Sequence, residues 1–317
     1  MRRGYRTMMR VCFDSRPAAD RRGIGRYARC ILESLLEEAR RRGGEVVEGR
    51  QPRRHDDLFH SPWMAGALLR PRVPMVVTVH DLVKQKRRGE HLRAGLRGGM
   101  RHLALARATR LIVPTHAVAA DAAEHLRVAP ERIDVIAEAA ASAFTPRSAA
   151  EVAAARGHHG IPDDYLLWVG HLGHPDPHRR VTALVEAPRE LPLVLVGAAG
   201  QWAHELPGVI LTGEVEDHEL AALYTGAHAL VLPSEEEGFG LPAVEALACG
   251  TPVVAADGAS LREVLDGRAT FVEAGDVDGL VAAAHSAQRP APAPPAWTWE
   301  DAAAATWDVY EKALSAA

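Results

Sequence analysis

Short apolar runs recur along the whole chain, separated by longer stretches in which apolar residues return every three or four positions. The runs predict strands at Arg10–Asp14, Leu58–His60, Pro74–Val79, Leu111–Val113 and Ile133–Ile136, with a weaker one at Val46–Val47. The wider spacing predicts helices. One follows Gly23-Ile24-Gly25-Arg26 and runs to Arg42, with Tyr27, Cys30, Ile31, Ser34, Leu35 and Glu38 at helical spacing, and another is capped by Thr115 and runs to Leu126. The second half repeats the alternation. Strands are expected at Leu166–Val169, Leu193–Val196, Val209–Leu211, Ala229–Leu232, Pro252–Ala255 and Thr270–Val272. Helices are expected at Val181–Ala187, Asp217–Gly226, Leu241–Cys249, Ala259–Leu265 and Asp276–Ala287. Strand-helix alternation over this length implies α/β architecture with parallel sheets covered on both faces. The small-residue stretch Ala137–Ala150 reads as a linker and QRPAPAPP at 288–295 as a proline linker, after which Trp299–Leu314 reads as a final helix.

Composition narrows the class. With 317 residues, 47% hydrophobic and 25% charged, the chain is long enough for two globular domains. Its apolar runs are too short and interrupted for a transmembrane helix, and no secretory signal is visible, so a cytoplasmic protein is expected. Three cysteines, an odd number, read as buried thiols in a reducing compartment. The net charge of −4 conceals an asymmetry: residues 1–110 hold 26 Lys and Arg against 11 Asp and Glu, and residues 111–317 hold 11 against 30. Such halves either meet different partners or attract each other. The basic run Lys84–Arg110 would suit an anionic membrane surface at the inner face, or is a solvated helix face. No nucleic-acid partner is expected.

The densest chemistry lies in PSEEEGFGLPAVEALACGTPVVA, from Pro233 onward. Glu237 precedes a Gly238-Phe239-Gly240 turn that feeds an apolar helix carrying Glu245, and Gly250 closes that helix. Free N–H groups and the dipole at a helix start suit a diphosphate, and carboxylates suit sugar hydroxyls. A phosphorylated sugar needs both. Glu235 and Glu236 read as a solvated acidic turn. Gly23 and Gly25 in GIGRYA fit a dinucleotide pattern, but the loop from Asp14 to Arg22 is too long for that tight turn, so a phosphate or acceptor approach fits better than an ordinary helix start. His171, His174 and His178 in HLGHPDPH imitate a metal cluster but sit in a loop with two prolines, and Asp276-Val277-Asp278 reads as a helix cap.

These blocks resemble retaining glycosyltransferases of family four, of the GT-B architecture: two Rossmann-like parallel-sheet domains facing across a cleft. The match runs in order through GIGRYARCILESL, VVTVHDL, TRLIVPTHAVAADAAEHLRVAPERIDVI, YLLWVG, LTGEVEDHELAALYTGAHALVLPS and EGFGLPAVEALACGTPVVA. The resemblance implies an N-terminal acceptor domain at 1–145, a C-terminal donor domain at 146–297 and a final helix, 298–317, that returns to the first. It implies a nucleotide diphosphate sugar as donor, a hydroxyl acceptor, and no cofactor or metal. It places Glu237 and His80 at the donor sugar, Glu245 on the ribose, and Arg179 on the leaving diphosphate. Gly23, Gly25, Arg180, Val215, Gly238, Phe239, Gly240 and Leu241 are the further donor contacts it implies. The sequence departs from the family at Arg179, where lysine is usual, and at His178, where arginine is common. Two alternatives stay open: a non-catalytic sugar-nucleotide-binding subunit, and a Rossmann oxidoreductase suggested by GIGRYA.

Overall fold

A computed structural model describes residues 8–20, 23–82 and 99–316. The chain divides into two compact units, Met1–Glu138 with Trp297–Ala317, and Ala139–Ala296. Each is a parallel six-stranded sheet covered by helices, the α/β architecture expected, and the class is GT-B.

The first unit contains β1 (Arg10–Phe13), β2 (Glu45–Glu48), β3 (Leu58–Ser61), β4 (Met75–Thr78), β5 (Arg110–Val113) and β6 (Ile133–Val135), ordered β2-β1-β3-β4-β5-β6. Every residue of β3 and β4 is buried, because helices cover both faces, so these strands read as continuous apolar runs. The edge strand β2 buries only Val46, which explains its weak signal. Helix α1 (Gly23–Arg42) buries Tyr27, Ile31, Leu35 and Ala39 along one stripe. Residues 99–106 form α2. Helix α3 (His116–His125) starts where Thr115 Oγ1 accepts from Val118 N at 3.2 Å.

The last helix of the chain, Trp299–Ser315, belongs to this unit and packs along α1, with Arg42 and Asp308 paired at 2.7 Å. A buried polar chain ties it to the sheet. Tyr310 Oη lies 2.6 Å from His60 Nδ1, His60 Nε2 lies 3.0 Å from Thr78 Oγ1, and Thr78 Oγ1 lies 3.1 Å from Tyr27 Oη. All four side chains are buried, so each bond offsets a desolvation cost that water would otherwise have met.

The second unit contains β7 (Leu166–Val169), β8 (Leu193–Val196), β9 (Val209–Gly213), β10 (Ala229–Leu232), β11 (Val253–Ala256) and β12 (Thr270–Val272), ordered β12-β11-β10-β7-β8-β9. Its helices are α4 (Ala149–His159), α5 (Val181–Glu186), α6 (Gln201–His204), α7 (Asp217–Gly226), α8 (Leu241–Ala248), α9 (Ala259–Leu265) and α10 (Val277–His285), with the final helix then α11. Trp168, Leu184, Leu195, Val231 and Leu280 lie in one core cluster beneath the sheet. Asp276 caps α10 by accepting from Gly279 N at 2.9 Å.

Three sequence readings need correction. The division between units falls at Glu138, ahead of the expected boundary at 145, and the supposed linker ends in α4. That helix opens with a capping box between Ser148 and Glu151, a signal hidden by the alanines around it. The four-residue α6 has too little length to show a period. Cys12 and Cys249 are buried, and burial raises their thiols to about 11 and about 12, but Cys30 is only half-buried. Among the described residues no helix is long and apolar enough to cross a membrane.

Burial, then repulsion from His80, pushes His60 down to about 3. The unfolded chain takes up a proton near pH 6.5 that the fold resists until about 3, so His60 makes stability fall as pH drops through that window. The His60→Gln variant should show a flatter decline of the urea midpoint between pH 6.5 and 4.5 than the parent chain. Equal slopes would remove His60 as the source.

Candidate active site

Parallel strands bring the loops that follow them to one edge of the sheet, and ligands bind where neighbouring strands send their chains in opposite directions. In the second sheet that point lies between β7 and β10, which pair directly through Ala229–Leu166 and Leu230–Leu167. The loop after β7 carries His171 to Arg180, and the loop after β10 carries Pro233 to Gly240. The backbone joins them, with Glu235 N donating to His178 O at 3.3 Å.

Arg179 and Arg180 have different surroundings. Arg180 caps α5 in a left-handed conformation, φ 47°, and its guanidinium pairs with Glu235. Glu235 is therefore half of an ion pair and not a solvated turn residue. Arg179 is looser. Its Nε stands 4.0 Å from Asp176, and its Nη1 lies against the backbone just beyond β7, where a Cβ on Gly170 would be 2.8 Å away. Of the two, Arg179 retains the more available positive charge. His178, immediately before them, is buried.

Glu237 is half-buried and makes no hydrogen bond or ion pair with a described residue. Gly238, Phe239, Gly240 and Leu241 are buried behind it. Gly240 is the N-cap of α8 at φ 86°, and a Cβ there would meet Leu261 Cδ2 at 2.5 Å, so both conformation and space require glycine. No side chain caps α8 and no acidic residue lies in its first turn. That helix start favours an anion. Val215 is half-buried in the loop between β9 and α7.

Glu245 does not fit its expected place on the ribose. Its exposure is 0%, and its Oε2 accepts from Tyr224 Oη at 3.1 Å. As arranged, the carboxylate offers no surface to a ligand and ties α8 to α7. The eight-residue spacing that suggested a role returns Glu245 to the inner side of its short helix.

In the first unit, His80 ends the stretch after β4 with both ring nitrogens engaged. Nδ1 lies 2.9 Å from Glu138 Oε1 and Nε2 lies 2.9 Å from Pro62 O, while Tyr27 packs edge-on at 4.5 Å between ring centroids. A carbonyl accepts only, so Nε2 carries a proton. The carboxylate of Glu138, 3% exposed, favours a second proton on Nδ1. Burial opposes the charged form, but the hydrogen bond and charge of Glu138, with the Pro62 carbonyl, outweigh it and raise the pKa. His80 thus has no spare N–H for a sugar in this arrangement. At Gly25 a Cβ would meet Asp20 O at 1.8 Å and Pro17 O at 2.8 Å, so the close approach of the preceding loop requires glycine. Gly23 begins α1 and is exposed. Neither Glu138 nor Glu235 was expected at a site. Glu138 lay in a stretch read as a linker, and Glu235 was grouped with its acidic neighbours.

Two family models match the chain, glycosyl transferases group 1 over residues 163–288 and glycosyltransferase family 4 over 15–139. A D-inositol 3-phosphate glycosyltransferase of Streptomyces bingchenggensis is 31% identical over 312 residues, covering 81% of this chain and 67% of the relative. The chain belongs to the family-four glycosyltransferases. A D-inositol 3-phosphate glycosyltransferase of Arthrobacter is 32% identical over 290 residues, covering 80% of this chain but only 65% of the relative. The chain thus spans just under two thirds of that relative's length. The crystal structure of Anabaena Alr3699/HepE in complex with UDP-glucose superposes with a TM-score of 0.66 at 17% identity, covering 98% of this chain and 97% of that one, a likeness of fold. Family membership, with one model lying on each unit, sets aside the oxidoreductase suggested by GIGRYA.

The family-four frame makes the His80–Glu138 pair a test of local electrostatics. Glu138→Gln leaves burial in place and removes the charge, so the His80 pKa should fall from its raised value to below about 6.5, the ordinary histidine value. An NMR titration of the His80 ring reads this directly, and an unmoved pKa would show that Glu138 does not hold the proton. In the parent chain, the stabilisation from this pair is complete below about pH 6.5 and is lost as pH rises through the raised value.

Proposed function

We propose that the chain transfers a hexosyl group from a nucleotide diphosphate sugar to a hydroxyl acceptor, with retention at the anomeric carbon. The observation that supports this most is the β7/β10 edge, where two hydrogen-bonded loops carry an available arginine, a half-buried carboxylate without a partner among the described residues and a helix start without a side-chain cap. Each answers one part of a sugar diphosphate. The first turn of α8 and Arg179 meet the diphosphate, and Glu237 accepts from sugar hydroxyls.

In this reading the bond between the anomeric carbon and the diphosphate oxygen breaks as the acceptor hydroxyl attacks from the same face. The electron pair of the breaking bond goes to the diphosphate. The acceptor's proton goes to a diphosphate oxygen, so no protein nucleophile is needed. Arg179 lowers the barrier by countering charge that grows on the leaving group. Arg180 is neutralised by Glu235 and acts by holding the two loops together. Because cationic side chains meet the diphosphate, transfer should persist in EDTA.

A second reading, a donor-binding chain without transfer, is favoured by the engagement of His80 and the burial of Glu245. Turnover separates the two. Glu237→Ala and Arg179→Ala should each lower kcat at least about a hundredfold, the scale set by loss of one positioned charge in a transition state. Folding should be intact by Tm, since neither residue is in the core. Near-normal transfer by both variants would refute the assignment. UDP binding by the parent chain with neither transfer nor donor hydrolysis would favour the second reading.

We also propose peripheral contact with anionic lipid through Lys84–Arg110, of which residues 84–98 lie outside the described structure. Within the described part, the half-buried Arg110 donates to Asp134 at 2.6 Å and is not available to lipid, whereas Arg107 donates to the neutral Leu69 O at 2.7 Å and stays exposed. Phosphatidylglycerol vesicles should pellet the protein at low salt and release it at high salt, and no pelleting at low salt would dismiss the contact.

A further inference from the structure

Helix α4 is weakly anchored by apolar contact. Of its 11 residues only Ala155 is buried, whereas its partner α7 buries Leu220 to Tyr224. The two helices pack antiparallel. Arg147, just ahead of α4, donates its backbone N–H to Thr225 Oγ1 at 3.1 Å near the end of α7. The chains also approach closely there, since a Cβ on Gly226 would meet Val152 Cγ1 at 2.6 Å.

At the other end of the pair three side chains converge. His158 and His159 are the last two residues of α4, and Glu219 lies in the first turn of α7. His158 Nδ1 lies 2.8 Å from Glu219 Oε1, and His159 Nε2 lies 3.0 Å from the same oxygen. Consecutive helical residues point about 100° apart, so both rings reach one atom only because one uses its near nitrogen and the other its far nitrogen. The rings stand side by side, with centroids 4.4 Å apart and planes tilted by 33°. A carboxylate can accept from two imidazoles on separate oxygens. Here both meet Oε1, so the three ligand atoms surround one point and lie within 4.8 Å of one another. A tetrahedral zinc ion, with bonds of about 2.0–2.1 Å, needs its ligand atoms about 3.3 Å apart, which small rotations of the rings provide. The Glu219 and His159 side chains are 19% and 12% exposed, and that of His158 is 70% exposed. Packing thus holds two ligands, and the third leaves an entry path and an open position for water. The carboxyl end of α4 also favours a cation. Among the described residues, His171, His174 and His178 form no such group.

We propose that His158, His159 and Glu219 bind a zinc-class divalent ion, with water in the fourth position, and that the ion staples α4 to α7. Two neutral imidazoles and a carboxylate suit zinc and its first-row neighbours, whereas magnesium and calcium take oxygen ligands. In the bound form each ring keeps its one proton on the nitrogen facing away from the ion, Nε2 of His158 and Nδ1 of His159. None of the three ligands belongs to the residues assigned to transfer above. The ion is therefore structural, and the site stands independently of the transfer reading.

The full chain is stripped with EDTA, dialysed and titrated calorimetrically with ZnCl2 and with MgCl2, and its Tm is read with and without zinc. One zinc ion should bind per chain, and magnesium should not compete. Zinc at about a hundredfold its Kd should raise Tm by about 5 °C or more, because it binds the folded chain. His158→Ala, His159→Ala and Glu219→Gln should each weaken zinc at least about tenfold, the least that loss of even an outer partner costs a metal site. The exposed His158 contributes little to packing, so His158→Ala should keep the parent's Tm in EDTA and lose only the zinc-dependent rise. That rise is the quantity compared, which separates metal binding from hydrogen bonds lost in the other two variants. No zinc binding by the parent, zinc affinity unchanged in all three variants, or magnesium binding as tightly as zinc would overturn the site. Zinc binding without a rise in Tm would overturn the staple.

Discussion

Parallel pairing is the constraint from which the rest follows. Every strand in each sheet runs the same way, so every connection must cross a face of the sheet, and helices bury both faces. Burial leaves the strands no polar role, and chemistry is displaced to the loops at their carboxyl ends. In the second unit those loops follow β7 and β10. The reversal of strand order opens the space, and the loop composition then decides what that space will bind.

Buried carboxylates hold that edge chemistry in place. Asp14 fixes Arg16, Asp56 fixes the turn of Arg53, and Glu138 sets the charge of His80. The half-buried Glu235 does the same work for Arg180 across two loops. In each case the carboxylate orients a cation, which limits the entropy lost when a ligand arrives. Removing such a carboxylate leaves a cation with lost orientation or an altered proton. Removing the cation leaves a buried negative charge.

The two units differ in how their polar groups are arranged. The first carries a continuous buried chain from α11 through His60 and Thr78 to α1, which makes the last helix part of that unit's core. The second places its buried carboxylate, Glu245, between two helices and leaves Glu237 without a partner among the described residues at the edge. Two glutamates of one motif thus have opposite environments. One is structural in this arrangement and the other is available for chemistry.

The fold was legible in the sequence because its causes are local. Runs such as Pro74–Val79 and the stripe Tyr27, Ile31, Leu35 follow from covered sheets and a single buried helix face. The Gly-turn at Gly238–Gly240 and the cap at Thr115 are also local, and the structure has both. The capping box that opens α4 was equally local but lay among alanines that resembled a linker. Partnership was not legible, because a side chain's neighbours come from distant parts of the chain. Glu235 meets Arg180 across 55 positions, and His80 meets Glu138 across 58. The spacing of Glu237 and Glu245 defines a motif, but only packing against Tyr224 decides that Glu245 is sealed. The sequence by itself determined the strands, the helices and the turns, since these depend on neighbours along the chain. The tertiary structure decided which charged groups are matched, which are buried and which remain open to a ligand, since these depend on neighbours in space.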